Sequence, residues 1–224
     1  MNGLVGVRNT LRFSATGSPQ PIGLTSKRLI DIILAVSGIV LLAPLLTICF
    51  VMIVLTSPGP ALFRHQRVGF RGKHFDCLKF RTMVTDAPER LRKLLESDPV
   101  AAAEWAANRK LRYDPRVTVI GAILRKSSLD ELPQLFNVLK GDMSIVGPRP
   151  VTEEELVRYS GAVNAYLACR PGITGLWQVS GRSSTTYNKR IACDSFYACN
   201  WSMTLDAKIL IVTIPALLVS DSAY

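Results

Sequence analysis

Residues 29–55 read LIDIILAVSGIVLLAPLLTICFVMIVL, and this continuous apolar run decides how the rest of the chain is arranged. Its only charged residue is Asp31, close to its start. About 20 helical residues cross a bilayer, so the run is long enough to span or enter a membrane. Pro44 lies in its middle, and a proline inside a helix removes one backbone donor and clashes with the preceding turn. We therefore predict a helix that kinks or breaks at Pro44.

Basic residues flank the apolar run on both sides: Lys27 and Arg28 before it, and Arg64, Arg67, Arg71 and Lys73 after it. Basic flanks favour the cytoplasmic face of a membrane. A simple crossing would place one basic cluster outside, whereas a hairpin that bends at Pro44 keeps both clusters inside. We predict a re-entrant membrane helix over residues 27–56. An ordinary span with a proline kink is the alternative, and the flanking charges alone leave both open.

The composition points to anionic partners. The formal net charge is +10 and the sequence pI is about 9.7, while aromatic residues make up only 8% of the chain. These aromatic residues do not alternate with the basic clusters, as they would in a platform that stacks nucleic-acid bases. We therefore predict no nucleic-acid partner, and expect anionic lipid headgroups or a phosphorylated ligand instead.

The cysteines and histidines indicate no disulfide framework and no zinc site. The five cysteines form an odd set with no Cys-x-x-Cys pair, which is typical of free thiols in a reducing compartment. The two histidines, His65 and His74, are too few for a usual zinc site.

The chain divides into three parts. Residues 1–26 are predicted to be a mobile basic tail, residues 27–56 the membrane helix, and residues 57–224 one membrane-associated domain on the cytoplasmic face. Within that domain, residues 61–68 and 74–80 alternate like two strands around a Gly-Phe-Arg-Gly turn, which predicts a β-hairpin. The fold class is therefore α+β, mainly helical, with a small hairpin.

The other elements follow from apolar periodicity and breaker residues. We predict helices from residue 86, over 100–110, 153–168 and 187–203, and loops over 141–150 and 169–182. Residues 205–220 are apolar but short for a span, so we expect either an interfacial helix or burial in the core.

The segment RKSSLDELPQLFNVLKG, residues 125–141, carries the most chemistry. Its apolar positions share one helical face, and Gly141 is a good helix stop. Asp130 and Glu131 lie at its start. One reading is a Ser-x-x-Glu capping box from Ser128. Pro133 fits that reading poorly, and fits better if Asp130 itself lies near the N-cap.

Cations surround this acidic pair in the sequence: Arg125 and Lys126 precede it, and Lys140 and Arg149 follow it. The guanidinium of Arg149, between two prolines, suits bidentate binding of phosphate oxygens. Carboxylates beside phosphates can hold Mg²⁺, and an aspartate can attack phosphorus. The residues alone favour phosphoryl transfer, with a non-catalytic basic adaptor at the membrane surface as the alternative.

The motifs resemble those of the bacterial sugar transferases, the monotopic phosphoglycosyl transferases, from residue 27 to the end of the chain. They are KRLIDIILA before the proline-split run, SPGPALFRHQRVG, KFRTM, LRKSSLDELPQLFNVLKGDMSIVGPRP and RPGITGLWQVSGR. Several members have serine before the helix-breaking proline, where this chain has Ala43.

The resemblance implies transfer of a sugar-1-phosphate from a UDP-sugar to undecaprenyl phosphate, with release of UMP. It implies the first membrane step of exopolysaccharide synthesis, on the cytoplasmic face of the bacterial inner membrane, with galactose or glucose favoured as the sugar. The partners would be the UDP-sugar, the lipid phosphate and the bilayer. The resemblance leaves open whether the chain forms a homo-oligomer.

The resemblance also assigns roles to residues. Asp130 would be the nucleophile that carries the sugar phosphate, and Glu131 a base or partner, with both binding Mg²⁺. The rival mechanism is direct attack by the lipid phosphate, with Asp130 holding only the metal.

Five further positions are implied as ligand contacts. Arg125 and Arg149 would hold phosphates, with Lys79 in the same pocket. Gln178 and Arg182 would line the nucleotide or sugar site.

Overall fold

The computed structural model describes residues 21–108, 111–181 and 186–218. Its helices are α1 Leu24–Thr56, α2 Ala87–Ser97, α3 Pro99–Asn108, α4 Val119–Lys126, α5 Gln134–Lys140, α6 Glu153–Leu156, α7 Val163–Leu167, α8 Leu176–Val179, α9 Tyr187–Cys199 and α10 Met203–Leu218. Its strands are β1 Leu62–Val68, β2 His74–Phe80, β3 Ser144–Val146 and β4 Gly172–Thr174. The predicted class, mainly helical α+β with an apolar N-terminal helix, is confirmed.

The predicted hairpin is confirmed as the antiparallel pair β1–β2. Its register runs from Leu62 opposite Phe80 to Val68 opposite His74, and a short 3₁₀ turn, Phe70–Gly72, joins the strands. Phe75 and Cys77, on one face of β2, are both buried, so this face packs on the core, and Phe80 is buried on the other face. The hairpin is therefore a fixed base for the charged residues of its strands.

A second sheet was not predicted. The strands β3 and β4 pair in parallel, with Ser144 opposite Gly172 and Val146 opposite Thr174. The backbones approach very closely beside this pair, because a Cβ on Gly172 would lie 2.1 Å from the amide nitrogen of Gly147. The predicted loops over 141–150 and 169–182 are thus corrected: each contributes a strand, and the second also contains α8.

The apolar run forms one helix, α1, that begins three residues before the predicted start at residue 27. Pro44 lies inside it, and helical backbone continues on both sides of the proline. The hydroxyl of Thr47 donates to the carbonyl oxygen of Ala43 at 2.9 Å, a side-chain bond that commonly accompanies a bent helix. Pro44 therefore does not end the helix.

Both halves of α1 pack against the same domain. In the N-terminal half, Ala35 is fully buried in a cluster with Phe75 and Val138. In the C-terminal half, Cys49 and Ile53 belong to a second buried cluster, whose other members are Ala61, Phe80 and Leu124. One side of the helix is thus attached to the domain near each of its ends.

Buried polar contacts fix the N-terminal end of α1. The ammonium of Lys27 lies 2.6 Å from a carboxylate oxygen of Asp206 in α10. The carboxylate of Asp31 accepts hydrogen bonds at 2.9 Å from the Ser144 hydroxyl and from the backbone N–H of Ile145. Asp31, the one charged residue of the apolar run, is therefore hydrogen-bonded to the domain.

The opposite side of α1 is apolar and uncovered. Leu41 and Leu55 are 80% and 77% exposed, and Val40 is 70% exposed. By length and composition, α1 is the one helix in the described part of the chain that could cross a membrane.

Several predicted helices differ in detail, and the one predicted over 187–203 ends at Cys199 as α9. The helix predicted over 153–168 is divided into α6, a 3₁₀ segment and α7, because Ser160 takes a non-helical conformation with φ 44° and ψ −120°. In α10, Ile209 is buried whereas Ile211 and Ile214 are about two-thirds exposed. This helix therefore combines the two predicted environments, with one side in the core and the other uncovered.

Candidate active site

Asp130 and Glu131 lie in a short 3₁₀ turn, Leu129–Glu131, between α4 and α5. Ser128 precedes this turn in the left-handed conformation, and its side chain makes no capping bond, so the capping box is not formed. The N-cap of α5 is Pro133, not Asp130, so that prediction was wrong. A proline there leaves no helical hydrogen bond unmade. The acidic pair thus lies in its own turn rather than in α5.

The strand β2 brings a cation to this turn. The ammonium nitrogen of Lys79 lies 2.6 Å from a carboxylate oxygen of Glu131. Burial alone would raise the pKa of Glu131, but the charges of Lys79 and Arg149 outweigh it and hold the pKa below its usual value. Glu131 is therefore ionised at neutral pH.

Asp130 has a different environment. Burial raises its pKa, the neighbouring charge of Glu131 raises it further, and the charges of Lys79 and Arg125 oppose both. Within the described residues, its carboxylate has no ion pair closer than 4 Å. Two adjacent carboxylates thus have pKa values displaced in opposite directions, a pattern typical of catalytic sites.

Arg125 is held beside Asp130 rather than beside Glu131. Its Nε donates to the Thr82 hydroxyl at 2.9 Å, just beyond the end of β2. The close packing of α4 on this strand depends on Gly121, where a Cβ would lie 2.0 Å from the carbonyl oxygen of Thr82. The glycine therefore lets α4 approach closely enough for Arg125 to reach the site.

A cleft opens on the Glu131 side of the pair. It is lined by Arg67, Cys77, Lys79, Glu131, Gln134, Arg149, Pro150, Gly172, Ile173 and Gln178. Three cations and one carboxylate face one another in this lining. Such an excess of positive charge suits a ligand with several negative charges, and guanidinium groups suit phosphate oxygens.

Arg67 belongs to this cleft although the sequence analysis assigned it no role there. Its guanidinium donates to the carboxylate of Glu155 at 2.9 Å and lies 3.1 Å from Nδ1 of His65. The register of the predicted hairpin could have identified Arg67 as a residue of the cleft. Positions 67, 77 and 79 fall on one face of the two strands, because directly opposed and alternate residues share a face.

The structure therefore brings together four of the predicted site residues, Lys79, Glu131, Arg149 and Gln178. Neither Asp130 nor Arg125 lines the cleft; Asp130 is next to Glu131 in the chain, and the charge of Arg125 acts on Asp130. Arg182 lies outside the described residues.

The acidic pair offers carboxylate oxygens to a divalent cation. The described residues hold no group of three or more His, Cys, Asp or Glu side chains that could bind a metal on their own. Mg²⁺, however, is commonly bound by one or two carboxylates, with substrate phosphates and waters completing its shell. Lys79 contacts one oxygen of Glu131, so the other oxygen of Glu131 and the Asp130 carboxylate remain available to a cation. The donor set thus fits Mg²⁺ that is bound together with a phosphate ligand.

Comparison with known proteins identifies the family. The family model described as bacterial sugar transferase matches residues 22–220. The exopolysaccharide production protein ExoY of Sinorhizobium fredii is 47% identical over 209 residues, which cover 93% of this chain and 92% of that protein. The undecaprenyl-phosphate galactose phosphotransferase of Salmonella typhimurium is 49% identical over 198 residues, 88% of this chain and 41% of that protein.

A third relative is the UDP-glucose:undecaprenyl-phosphate glucose-1-phosphate transferase of Caulobacter vibrioides. It is 44% identical over 208 residues, which cover 88% of this chain and 72% of that protein. The match of the family model over nearly the whole chain, and identities above 40% with relatives of one class, agree with each other. The chain belongs to the bacterial sugar transferase family.

Proposed function

We propose that this transferase moves a hexose-1-phosphate, galactose or glucose, from a UDP-sugar to undecaprenyl phosphate, releasing UMP as the first membrane step of exopolysaccharide synthesis. The names of the Salmonella and Caulobacter relatives support the substrates, and the name of the Sinorhizobium relative supports the process. The observation that carries the proposal is the placement of Asp130, with its raised pKa, beside Arg125 and a cleft whose cations outnumber its one carboxylate.

The proposed reaction has two steps. A carboxylate oxygen of Asp130 attacks the phosphorus that bears the sugar, and the bond from that phosphorus to the UMP oxygen breaks. UMP leaves, and the sugar phosphate remains on Asp130 as an acyl phosphate. A phosphate oxygen of the lipid then attacks the same phosphorus, which releases the polyprenyl-diphospho-sugar and restores the carboxylate.

The environment of each residue supports its proposed role. A buried carboxylate with a raised pKa is poorly solvated when ionised, and so is a better nucleophile than one in water. Lys79, Arg149 and Arg67 would bind the diphosphate oxygens and stabilise the charge that develops on the leaving phosphate. Mg²⁺, bound by Asp130 and Glu131, would supply further neutralisation of the phosphate charge.

The test is UMP release from a panel of UDP-sugars by purified protein with Mg²⁺ and undecaprenyl phosphate. We expect repeated turnover to UMP only when the lipid and one preferred donor are present, at most one equivalent of UMP per protein from the donor alone, and none from Asp130→Ala. Asp76→Asn is the control, because Asp76 is an exposed carboxylate on the same hairpin. UMP release by Asp130→Ala at the wild-type rate would overturn the role of Asp130.

A separate measurement distinguishes the two-step reaction from direct attack by the lipid phosphate. Intact-protein mass after mixing with the UDP-sugar alone should rise by one hexose phosphate, and the added mass should disappear when undecaprenyl phosphate follows. If single-turnover samples show no added mass while UMP release proceeds normally, direct attack is favoured.

We also propose that α1 enters the membrane and returns to the cytoplasmic face. A straight helix from Lys27 to Ile53 would be about 39 Å long, which exceeds the thickness of the hydrocarbon core. Both of these residues nevertheless contact one domain. A helix that crossed the bilayer would carry one end away from that domain, so this double attachment supports a re-entrant arrangement.

A further inference from the structure

We propose that Trp177 and Arg190 are positioning residues for Arg149, and that they aim its guanidinium at the phosphates of the donor. This inference rests on the proposed function for the identity of the ligand. Trp177 lies in α8, and Arg190 lies in α9. Neither residue was predicted from the sequence to have a role in the site.

Arg149 has unused donors within the described part of the chain. It forms no ion pair closer than 4 Å there, unlike its neighbour Arg67, which is paired with Glu155. Its described contact is with the Trp177 ring, whose centroid lies 5.5 Å from the guanidinium carbon. A contact with an aromatic ring orients a guanidinium without using its N–H groups. Those N–H groups therefore remain available to phosphate oxygens in the cleft.

Trp177 is in turn fixed by Arg190. The guanidinium carbon of Arg190 lies 5.2 Å from the centroid of the Trp177 ring and 5.3 Å from that of Tyr187. Arg190 is only 6% exposed, so this ring contact is made in a poorly hydrated interior, where cation–π attraction is strongest. Trp177 thus connects one buried arginine to one arginine of the cleft.

The burial of Arg190 needs an explanation. Its closest carboxylates, Glu155 and Asp194, each lie 3.9 Å away, which is too far for good hydrogen bonds. Among the described residues, its Nε and Nη2 are buried without a hydrogen-bond partner. A buried charge with such weak pairing destabilises a fold. We therefore expect the buried guanidinium of Arg190 to have a role in the site.

Glu155 joins this arrangement to the rest of the cleft. Its carboxylate accepts from Arg67 at 2.9 Å and lies 3.9 Å from Arg190. It also accepts from the backbone N–H of Thr152, within a complete capping box at the start of α6. Two of the cleft cations, Arg67 and Arg149, are therefore held from one buried framework, the first directly and the second through Trp177.

A double-mutant cycle tests the coupling between Trp177 and Arg149. The variants are Trp177→Leu, Arg149→Met and the double variant, and the measurement is the dissociation constant for UDP by titration calorimetry. We expect each single variant to weaken UDP binding by about tenfold, the effect of losing one desolvated cation–π contact or the guanidinium that it orients. In the double variant, the loss should be little greater than in Arg149→Met alone.

Conservative variants and a matched control separate positioning from general stability. Trp177→Phe keeps an aromatic face and should restore most of the binding, whereas Arg190→Met should behave like Trp177→Leu. Trp105→Leu is the control, because Trp105 contacts Arg116 at 5.0 Å in the same manner but outside the cleft, and it should leave UDP binding unchanged.

Two results would overturn the inference: losses that multiply in the double variant, or a loss in Trp105→Leu equal to that in Trp177→Leu. Inorganic pyrophosphate is the second probe, because it reports on the anion site whatever the donor is. Wild-type protein that binds pyrophosphate with the expected coupling but binds no UDP would count against the proposed donor, and not against the positioning role.

Discussion

The ammonium nitrogen of Lys79 lies 2.6 Å from a carboxylate oxygen of Glu131, although 52 residues separate the two in the chain. This contact ties the hairpin to the turn that carries the acidic pair. It also leaves Glu131 ionised beside Asp130, whose pKa is raised. The two carboxylates can therefore have different roles at one pH.

Lys79→Met is expected to slow UMP release by about 100-fold, as the loss of one preorganised charge at a reacting centre usually does. It should also change the pH profile. Without Lys79, burial dominates and raises the pKa of Glu131, so the acidic decline of the rate should begin at a higher pH. Lys93→Met, at an exposed position on α2, is the control. An unchanged acidic limb would mean that Lys79 does not set the protonation of Glu131.

Asp130→Asn is expected to abolish activity and to stabilise the protein. A carboxyl group whose pKa is raised by folding contributes stability at low pH and loses it as the pH rises through its folded pKa. At pH 8 the wild type therefore bears the cost of an ionised, poorly solvated Asp130, which the neutral amide removes. We expect a higher Tm at pH 8 with a difference that shrinks at pH 4, and a rate reduced at least about a thousandfold.

The measurements for Asp130→Asn are scanning fluorimetry across that pH range and UMP release at pH 8. A Tm below that of the wild type at pH 8 would show that Asp130 stabilises the fold instead.

Lys27→Met is expected to destabilise the protein by about 3 kcal/mol, because removing one partner of a buried ion pair leaves the other charge unpaired. Asp206 would keep its hydrogen bonds from the Tyr197 hydroxyl and the Trp201 indole, which limits the loss. Urea unfolding in detergent measures the change, and Lys208→Met, at an exposed position of α10, serves for comparison. A loss below about 1 kcal/mol would mean that the pair contributes little to stability.

Cysteine labelling tests the course of α1. In a background without the native cysteines, single cysteines at Gly3 and Gly72 should both react with a membrane-impermeant maleimide only after the cytoplasmic face is exposed. Labels on opposite faces would establish a true span.

The parts of the fold that were predicted correctly depend on local patterns. Two alternating runs around Gly69–Gly72 specified the hairpin, and the apolar face before Gly141 specified α5, which does end there with φ 92°. The sheet β3–β4 could not be read in this way. Each of its strands has three residues, too few to show a period, and their pairing depends on close backbone approach at Gly147 and Gly172 rather than on side-chain pattern.

The same distinction between local patterns and long-range contacts applies to the candidate site. Five site residues could be predicted because each lies in a recognisable sequence motif: Asp130, Glu131, Arg125, Arg149 and Lys79. The residues that hold them could not. Glu155, Trp177 and Arg190 act through contacts between distant segments, and nothing in their local sequence distinguishes them from ordinary surface or core residues.

The ion pair between Lys27 and Asp206 has a consequence for how the protein is made. The two residues are 179 positions apart, so at roughly 5 to 20 residues per second the ribosome delivers Asp206 about 10 to 40 s after Lys27. Ser144, which donates a hydrogen bond to Asp31, is likewise synthesised long after Asp31. During that interval the nascent chain has an apolar helix but no domain to hold it. The membrane entry of α1 proposed above would therefore precede the domain, which would assemble on a helix already in the bilayer.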